Sequence, residues 1–144
     1  SEERFALAVA GSNDGIVDWD IVNDRMYSSE QAMRIVGVES DVTVRSRAEW
    51  RDLVTYHPDD LQRMKDDLQS FLDGQSELRD GEYRVQLPSG EYRWIRHRNK
   101  CVRDSNGRPI RVAGSVSDID PHKRAEEALR QSEERYELLV AGST

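Results

Sequence analysis

The chain's 144 residues, 36% of them hydrophobic and 34% charged, suit a single domain with a small core beneath a very polar surface. Its net charge of −7 argues against nucleic acid as a partner, because phosphate binding needs a basic face. No run of about 18 apolar residues is present to span a membrane, and the first residues lack the basic-then-apolar layout of a secretion signal; a cytoplasmic fragment without membrane contact is expected, whatever anchors the parent protein.

In chain order, residues 2–10 place Phe5, Ala8 and Val9 at helical spacing, with Gly11 as the expected stop. Asn13, Asp14 and Gly15 are turn chemistry leading into a β-rich run over residues 16–22. Asn23 and Asp24 supply a tight turn before residues 25–28, so the two runs read as a hairpin. Ser28 or Ser29 caps a short helix that runs through Ile35 and ends at Gly37. A helix over residues 48–56 sets Trp50, Leu53 and Val54 on one face. After His57, Pro58, Asp59 and Asp60, a longer helix repeats Leu61, Met64, Leu68, Phe71 and Leu72 at helical steps, with Gly74 as the stop.

From Glu77 the period changes to two. Tyr83, Val85 and Leu87 alternate with Glu82, Arg84 and Gln86, and turns at residues 88–90 and 104–107 separate two further strands, over residues 92–102 and 109–119. The arginines between Tyr92 and Arg111 read as the solvated face of this meander. An early hairpin, a helical middle and a late meander make an α+β fold with helices on one face of a sheet. Asp120 as cap and Pro121 in the first turn then open a last helix. Ala125, Leu129, Ser132, Tyr136 and Leu139 follow at steps of 4, 3, 4 and 3, a short heptad seam suited to a coiled-coil linker and a homodimer through the terminal helices, or else an ordinary surface helix.

The two ends of the chain repeat each other. Residues 1–13 and 132–144 are identical at 9 of 13 positions, so the chain reads as one unit of a tandem array that runs into the start of the next.

Four groups of residues resemble the PAS sensor domain, in that family's order. Asp14-Gly15-Ile16-Val17-Asp18-Trp19-Asp20 is similar to its first strand, and His57-Pro58-Asp59-Asp60 to the start of its long helix. Glu82-Tyr83-Arg84-Val85, Pro88-Ser89-Gly90-Glu91-Tyr92-Arg93-Trp94-Ile95 and Val102-Arg103-Asp104-Ser105-Asn106-Gly107-Arg108-Pro109 resemble its C-terminal half. Asp118-Ile119-Asp120 with Lys123-Arg124-Ala125-Glu126-Glu127-Ala128-Leu129 resembles its exit motif. The resemblance implies a five-stranded antiparallel sheet in the order 2-1-5-4-3, with helices on one face, an N-terminal cap helix and a C-terminal linker helix. It places the PAS domain at residues 1–120 and the linker into a second repeat at residues 121–144. It also implies a sensory module of a bacterial signalling protein, without catalysis of its own, that binds a small ligand or partner and relays the change to an adjacent repeat and a downstream output domain such as a histidine kinase or diguanylate cyclase. The alternative is a ligand-free dimerisation and relay spacer.

On that geometry the pocket is lined by Tyr83, Val85 and Leu87, by Ile95, His97, Asn99 and Cys101, by Val112, Gly114 and Val116, and by Met64, Leu68 and Phe71 of the long helix. His97 is a ligand contact or a pH-responsive imidazole; otherwise it is satisfied by its neighbours, or faces outward if the register slips by one. Asp118, Ile119 and Asp120 form the relay joint, and Ala125, Leu129, Tyr136 and Leu139 the seam of the linker.

The cofactor stays open, with flavin and haem both disfavoured. Flavin-binding members carry a reactive cysteine in the helical middle, whereas the single Cys101 lies on a strand, reads as a small buried hydrophobe and can make no internal disulfide. Haem-binding members use a histidine on the long helix, and His57 precedes it. No metal is expected: helix capping by the aspartates accounts for His57, Asp59 and Asp60. Phosphate loops and nucleophile elbows are missing, and His122 lacks the surroundings of a phosphoacceptor, which argues against an enzyme.

Overall fold

In the computed structural model, which describes residues 11–143, the chain runs β1 (Gly15–Asp20), β2 (Arg25–Ser28), α1 (Glu30–Ile35), β3 (Val44–Arg45), α2 (Arg47–Leu53), α3 (Pro58–Leu72), β4 (Leu78–Gln86), β5 (Tyr92–Arg103), β6 (Pro109–Asp118) and α4 (Asp120–Ala141). The strands form one antiparallel sheet in the order β3-β2-β1-β6-β5-β4. The expected sheet had five strands; β3 is the sixth. The β-branched residues Val42, Thr43 and Val44 lie along the open edge of β2, where Val44 pairs with Tyr27 and the Thr43 carbonyl accepts the Ser28 N–H at 2.8 Å. Without β3 the observed order is the expected one.

Helix α1 is fixed to β1 at its N-cap. The Ser29 hydroxyl accepts N–H bonds from Ala32 of the helix at 3.1 Å and from Ile16 of the strand at 3.0 Å. The approach is so close that a Cβ at Gly15 would meet Ala32 at 2.3–2.6 Å. Helix α2 opens with a capping box between Ser46 and Glu49. It ends at Leu53, three residues before the expected Tyr56. Val54 is already extended, and the following residues lie beside β4, with Thr55 O accepting from Gln86 N and Arg84 O from His57 N. The β-branched pair and the residue before Pro58 all disfavour helix. As a result Leu53 points outward while Trp50 and Val54 are buried.

The cap of α3 is also corrected. The His57 imidazole accepts the Asp59 N–H through Nδ1 at 3.0 Å, while Asp60, expected to cap, is buried against Arg84. The core joins Met33, Ile35 and Val36 at the end of α1 to Trp50, Val54, Val85, Ile95 and Val116.

The arginines of the meander divide between two tasks. Arg96 pairs with Asp80, and Arg111 with Asp18, on exposed sheet positions as expected. Arg93 and Arg103 depart from that expectation. Arg93 donates to the Arg34 and Ile35 carbonyls at the end of α1, and Arg103 to the Phe71 and Leu72 carbonyls at the end of α3. Helix C-termini leave carbonyls without intrahelical partners, and a guanidinium satisfies both hydrogen bonding and the dipole there.

At the other end of the chain, the cap of α4 is Ile119 rather than Asp120, and it makes no side-chain cap bond. No residue of α4 is buried, so Ala125, Leu129, Tyr136 and Leu139 all face solvent. Gly11 is not the stop of the first helical segment: Gly11 and Ser12 are helical and Asn13 turns the chain with φ of 61°. The expected helix over residues 2–10 lies outside the described residues. Among those described, no helix is long and apolar enough to cross a membrane.

Candidate functional site

The inner face of the sheet carries a row of cross-strand partners running Arg79, Asn99, Gly114, Val17, Ser28 from β4 to β2. The adjacent row runs Gly81, His97, Val116, Gly15. Position 114 must be small, since a Cβ there would collide with the backbone carbonyl of Arg98 as well as with Asn99. Above these rows stand Arg47 and Trp50 of α2, Tyr56 beyond it, Leu68 of α3 and Val36 after α1. Together they enclose an inner cavity of about 50 Å³. Outside it, between α2 and α3, opens a groove of about 430 Å³ with Leu61, Met64 and Leu72 on its walls. Trp19, Arg47, Trp50, Tyr56 and Leu68 border both. Hollows of about 650 and 660 Å³ elsewhere are surface depressions away from this interior.

The polar groups of the inner cavity are incompletely paired. The Tyr56 hydroxyl and His97 Nε2 share a hydrogen bond of 3.0 Å. Arg79 Nε and Nη2, His97 Nδ1 and Asn99 Oδ1 are buried with no hydrogen-bond partner. Burial, reinforced by Arg79 and Arg47, holds the His97 pKa well below the ordinary imidazole value and so favours the neutral ring. Burial likewise raises the Tyr56 phenol and lowers the Arg47 guanidinium. Beneath them, Tyr83 donates to Asp67 Oδ2 at 2.5 Å, and Arg63 sits 4.6 Å over the Tyr83 ring. Burial first, then the Asp67 bond, pushes the Tyr83 phenol upward.

Of the residues proposed from sequence, Leu68, His97, Asn99, Val112 and Val116 line the inner cavity, and Met64 and Leu68 line the groove. Tyr83, Val85, Ile95 and Phe71 are fully buried but border neither space; Gly114 serves as the floor under Asn99. Leu87 lies instead beside the surface depression near Arg34, and Cys101 is half-buried outside both linings. Burial beside two guanidinium groups shifts any titration of His97 downward from the ordinary imidazole range. Arg47, Trp50, Tyr56 and Arg79 complete the site and were not among the sequence candidates. Arg79 was legible, since extending the period of two back from Tyr83 through Gly81 turns it inward.

Asp118, Ile119 and Asp120 form a compact joint between β6 and α4. Asp118 Oδ1 accepts the Asp120 N–H at 2.9 Å, and Asp118 Oδ2 meets Arg93 Nε at 3.3 Å. Ile119 N–H donates to Trp94 O at 3.0 Å, and Asp120 Oδ1 accepts from Trp94 N–H at 3.2 Å.

A sheet of this order, with helices over one face and a partly polar cavity between the layers, defines a sensor-type α+β domain. The sequence model of the PAS fold matches residues 25–116, and the chain belongs to that family. It is a sensory signalling module. The two-component sensor PprA of Pseudomonas aeruginosa is 31% identical over 122 residues, which make up 81% of this chain. The sensor protein FixL of Bradyrhizobium diazoefficiens is 28% identical over 138 residues. The chain spans 12% of the first and 26% of the second. The crystal structure of a sensory box histidine kinase/response regulator from Burkholderia thailandensis is 34% identical with a TM-score of 0.76, covering 93% of this chain and 98% of that one. The N-terminal domain of a diguanylate cyclase with a PAS/PAC sensor, from Marinobacter aquaeolei, shares the fold at 20% identity and a TM-score of 0.62, covering 76% and 98%.

Proposed function

We propose that residues 1–120 form the sensory unit of a larger signalling protein, which binds a small molecule in the cavity and groove beneath α2 and α3. The observation that carries this reading is the set of buried, unpartnered polar atoms on Arg79, His97 and Asn99 around one space. Buried polar groups are ordinarily paired, and those left open at a cavity are the ones a ligand completes. Flavin and haem fit the walls poorly, because α2 and α3 carry neither cysteine nor histidine. The signal passes through Asp118, Ile119 and Asp120 into α4, and from there to an adjacent repeat and an output domain such as a histidine kinase or diguanylate cyclase. Relatives of those two classes support such an output. The exposed Leu129, Tyr136, Leu138 and Leu139 support a partner along α4, in a homodimer or in the following repeat.

A second reading, the ligand-free relay spacer, is favoured by one observation: the enclosed space amounts to only about 50 Å³. Native mass spectrometry of the purified chain separates the two. A co-purifying small molecule supports the sensor, and bare mass at dimer weight supports the spacer.

A further inference from the structure

We propose that the ligand is an organic carboxylate, its head held by Arg79 and Arg47 in the inner cavity and its apolar body lying in the groove between α2 and α3. The inference rests on the sensory reading of the same site and names the chemistry that site selects. Arg79 is only 9% exposed, and its Nε and Nη2 have no hydrogen-bond partner. It forms no ion pair among the described residues, and its guanidinium lies 5.9 Å over the Tyr83 ring. A buried guanidinium in a folded protein is ordinarily paired with an anion, because the charge is otherwise removed from water without compensation. Here the protein supplies none. The carboxylates nearby are already engaged: Asp67 by Tyr83, and Asp24 by Trp19 Nε1 and the Arg47 backbone N–H.

The sign of the lining is the second, independent observation. Arg47 and Arg79 border the inner cavity, and Arg47, Arg51 and Lys65 border the groove. Among the described residues of this acidic chain, no aspartate or glutamate lines either space. The Tyr56 hydroxyl meets His97 Nε2, and in the tautomer in which the tyrosine donates, the imidazole carries its proton on the unpartnered Nδ1. Donors therefore converge from Arg47, Arg79 and His97, and the Asn99 amide can present its amino end. Val17, Val36, Val112 and Val116 close the remaining walls. A planar group accepting through two oxygens on one side suits that asymmetry, and guanidinium groups match it in two-point fashion. The apolar body follows from Trp50, Val54, Leu61, Met64, Leu68 and Leu72 along the adjoining groove.

The test uses the 144-residue chain with sodium octanoate and phenylacetate, their neutral counterparts octan-1-ol and phenylacetamide, and inorganic phosphate, followed by calorimetry and by the fluorescence of the lining Trp19 and Trp50. At least one carboxylate is expected to bind saturably, and its neutral counterpart about thirtyfold more weakly or less, the loss typical of leaving a buried charge unpaired. Arg79→Met is expected to lose the carboxylate to the same degree; should that variant not fold, Arg47→Met carries the test. Equal binding of acid and neutral counterpart, or unchanged affinity in the folded variants, overturns the proposal. So does phosphate binding without the carboxylates. If neither carboxylate binds while a neutral molecule co-purifies, the carboxylate is wrong and the sensor stands; bare protein that binds no probe removes both.

Discussion

The carboxylate of Asp60, in the first turn of α3, takes three hydrogen bonds from Arg84 of β4: from the backbone N–H at 2.8 Å, from Nε at 2.9 Å and from Nη2 at 2.9 Å. The same guanidinium lies 5.0 Å over the Trp94 ring, whose other neighbour is Lys123 of α4 at 4.9 Å. One buried aspartate thus ties the helix above the groove to the strand pair that carries the exit helix.

That pairing makes stability acid-sensitive over a defined range. The Arg84 hydrogen bonds, opposed by burial, lower the Asp60 pKa from 3.8 to about 2. A depressed carboxylate contributes stability above its unfolded pKa and loses it as pH falls through the folded one, so the contribution fades between about pH 4 and pH 2. Asp60→Asn should destabilise the chain by about 2 kcal/mol at pH 7, with the difference shrinking across that window. Urea denaturation of both proteins from pH 7 to pH 2 measures it; a difference that stays constant would locate the effect in packing rather than in the charge.

His97 gives a second pH dependence, at a higher range. Burial and the two arginines disfavour its charged form in the fold, whereas the unfolded chain takes up a proton below about pH 6.5. Stability is therefore complete above that pH and declines below it, by up to about 1.4 kcal/mol per pH unit for one proton. His97→Gln should abolish that slope, although it loses some stability at every pH by disturbing the Tyr56 bond. Parallel slopes for the two proteins between pH 6.5 and 5 would mean that the imidazole is charged in the native state.

Much of this site could be read from the sequence because its strands obey a period of two. Counting outward from Tyr83 and His97 fixes which residues face the helices, and turn residues such as Asn23, Asp24 and Gly107 fix the register. The helical side was harder to read. Arg47 opens α2 as a charged residue in its first turn and looks like a solvated one; only the crossing of α2 over the sheet brings it against the cavity. Apolar spacing alone carries the helix on to Tyr56, whereas Val54, Thr55 and Pro58 set the backbone extended after Leu53. Arg93 and Arg103 fell in a basic stretch with no mark to separate those on the solvated face from those that reach helix ends.

The arginines at helix ends lead to a third expectation. Arg103 donates to Phe71 O, Leu72 O and Gly107 O at 2.8–3.1 Å, closing α3 against the β5–β6 turn. Arg103→Ala should cost about 1.5 kcal/mol, in the range of hydrogen bonds to a charged group. Arg103→Lys should recover less than half, because an ammonium cannot hold three carbonyls in the plane of a guanidinium. Thermal melts of the three proteins decide the matter, and full recovery by lysine would reduce the effect to charge alone.

The last expectation concerns the joint. Arg93 holds the Arg34 and Ile35 carbonyls on one side and Asp118 on the other, and Val36, the residue after α1, borders the inner cavity. A shift at the cavity wall can therefore reach Asp118 through one guanidinium, and Asp118 in turn holds the Asp120 N–H at the start of α4. Asp118→Ala removes both contacts while burying nothing new, since that carboxylate is about a third exposed. The variant should keep the fold and melt within a few degrees of the parent, yet exchange the Lys123 amide, bonded to Ile119 O, about fivefold faster. In the full-length protein the same change should leave basal output intact and abolish its response to ligand. Unaltered exchange at Lys123 together with an unaltered response would show that α4 takes its cue from another part of the sheet, with Trp94 and Lys123 the next residues to vary.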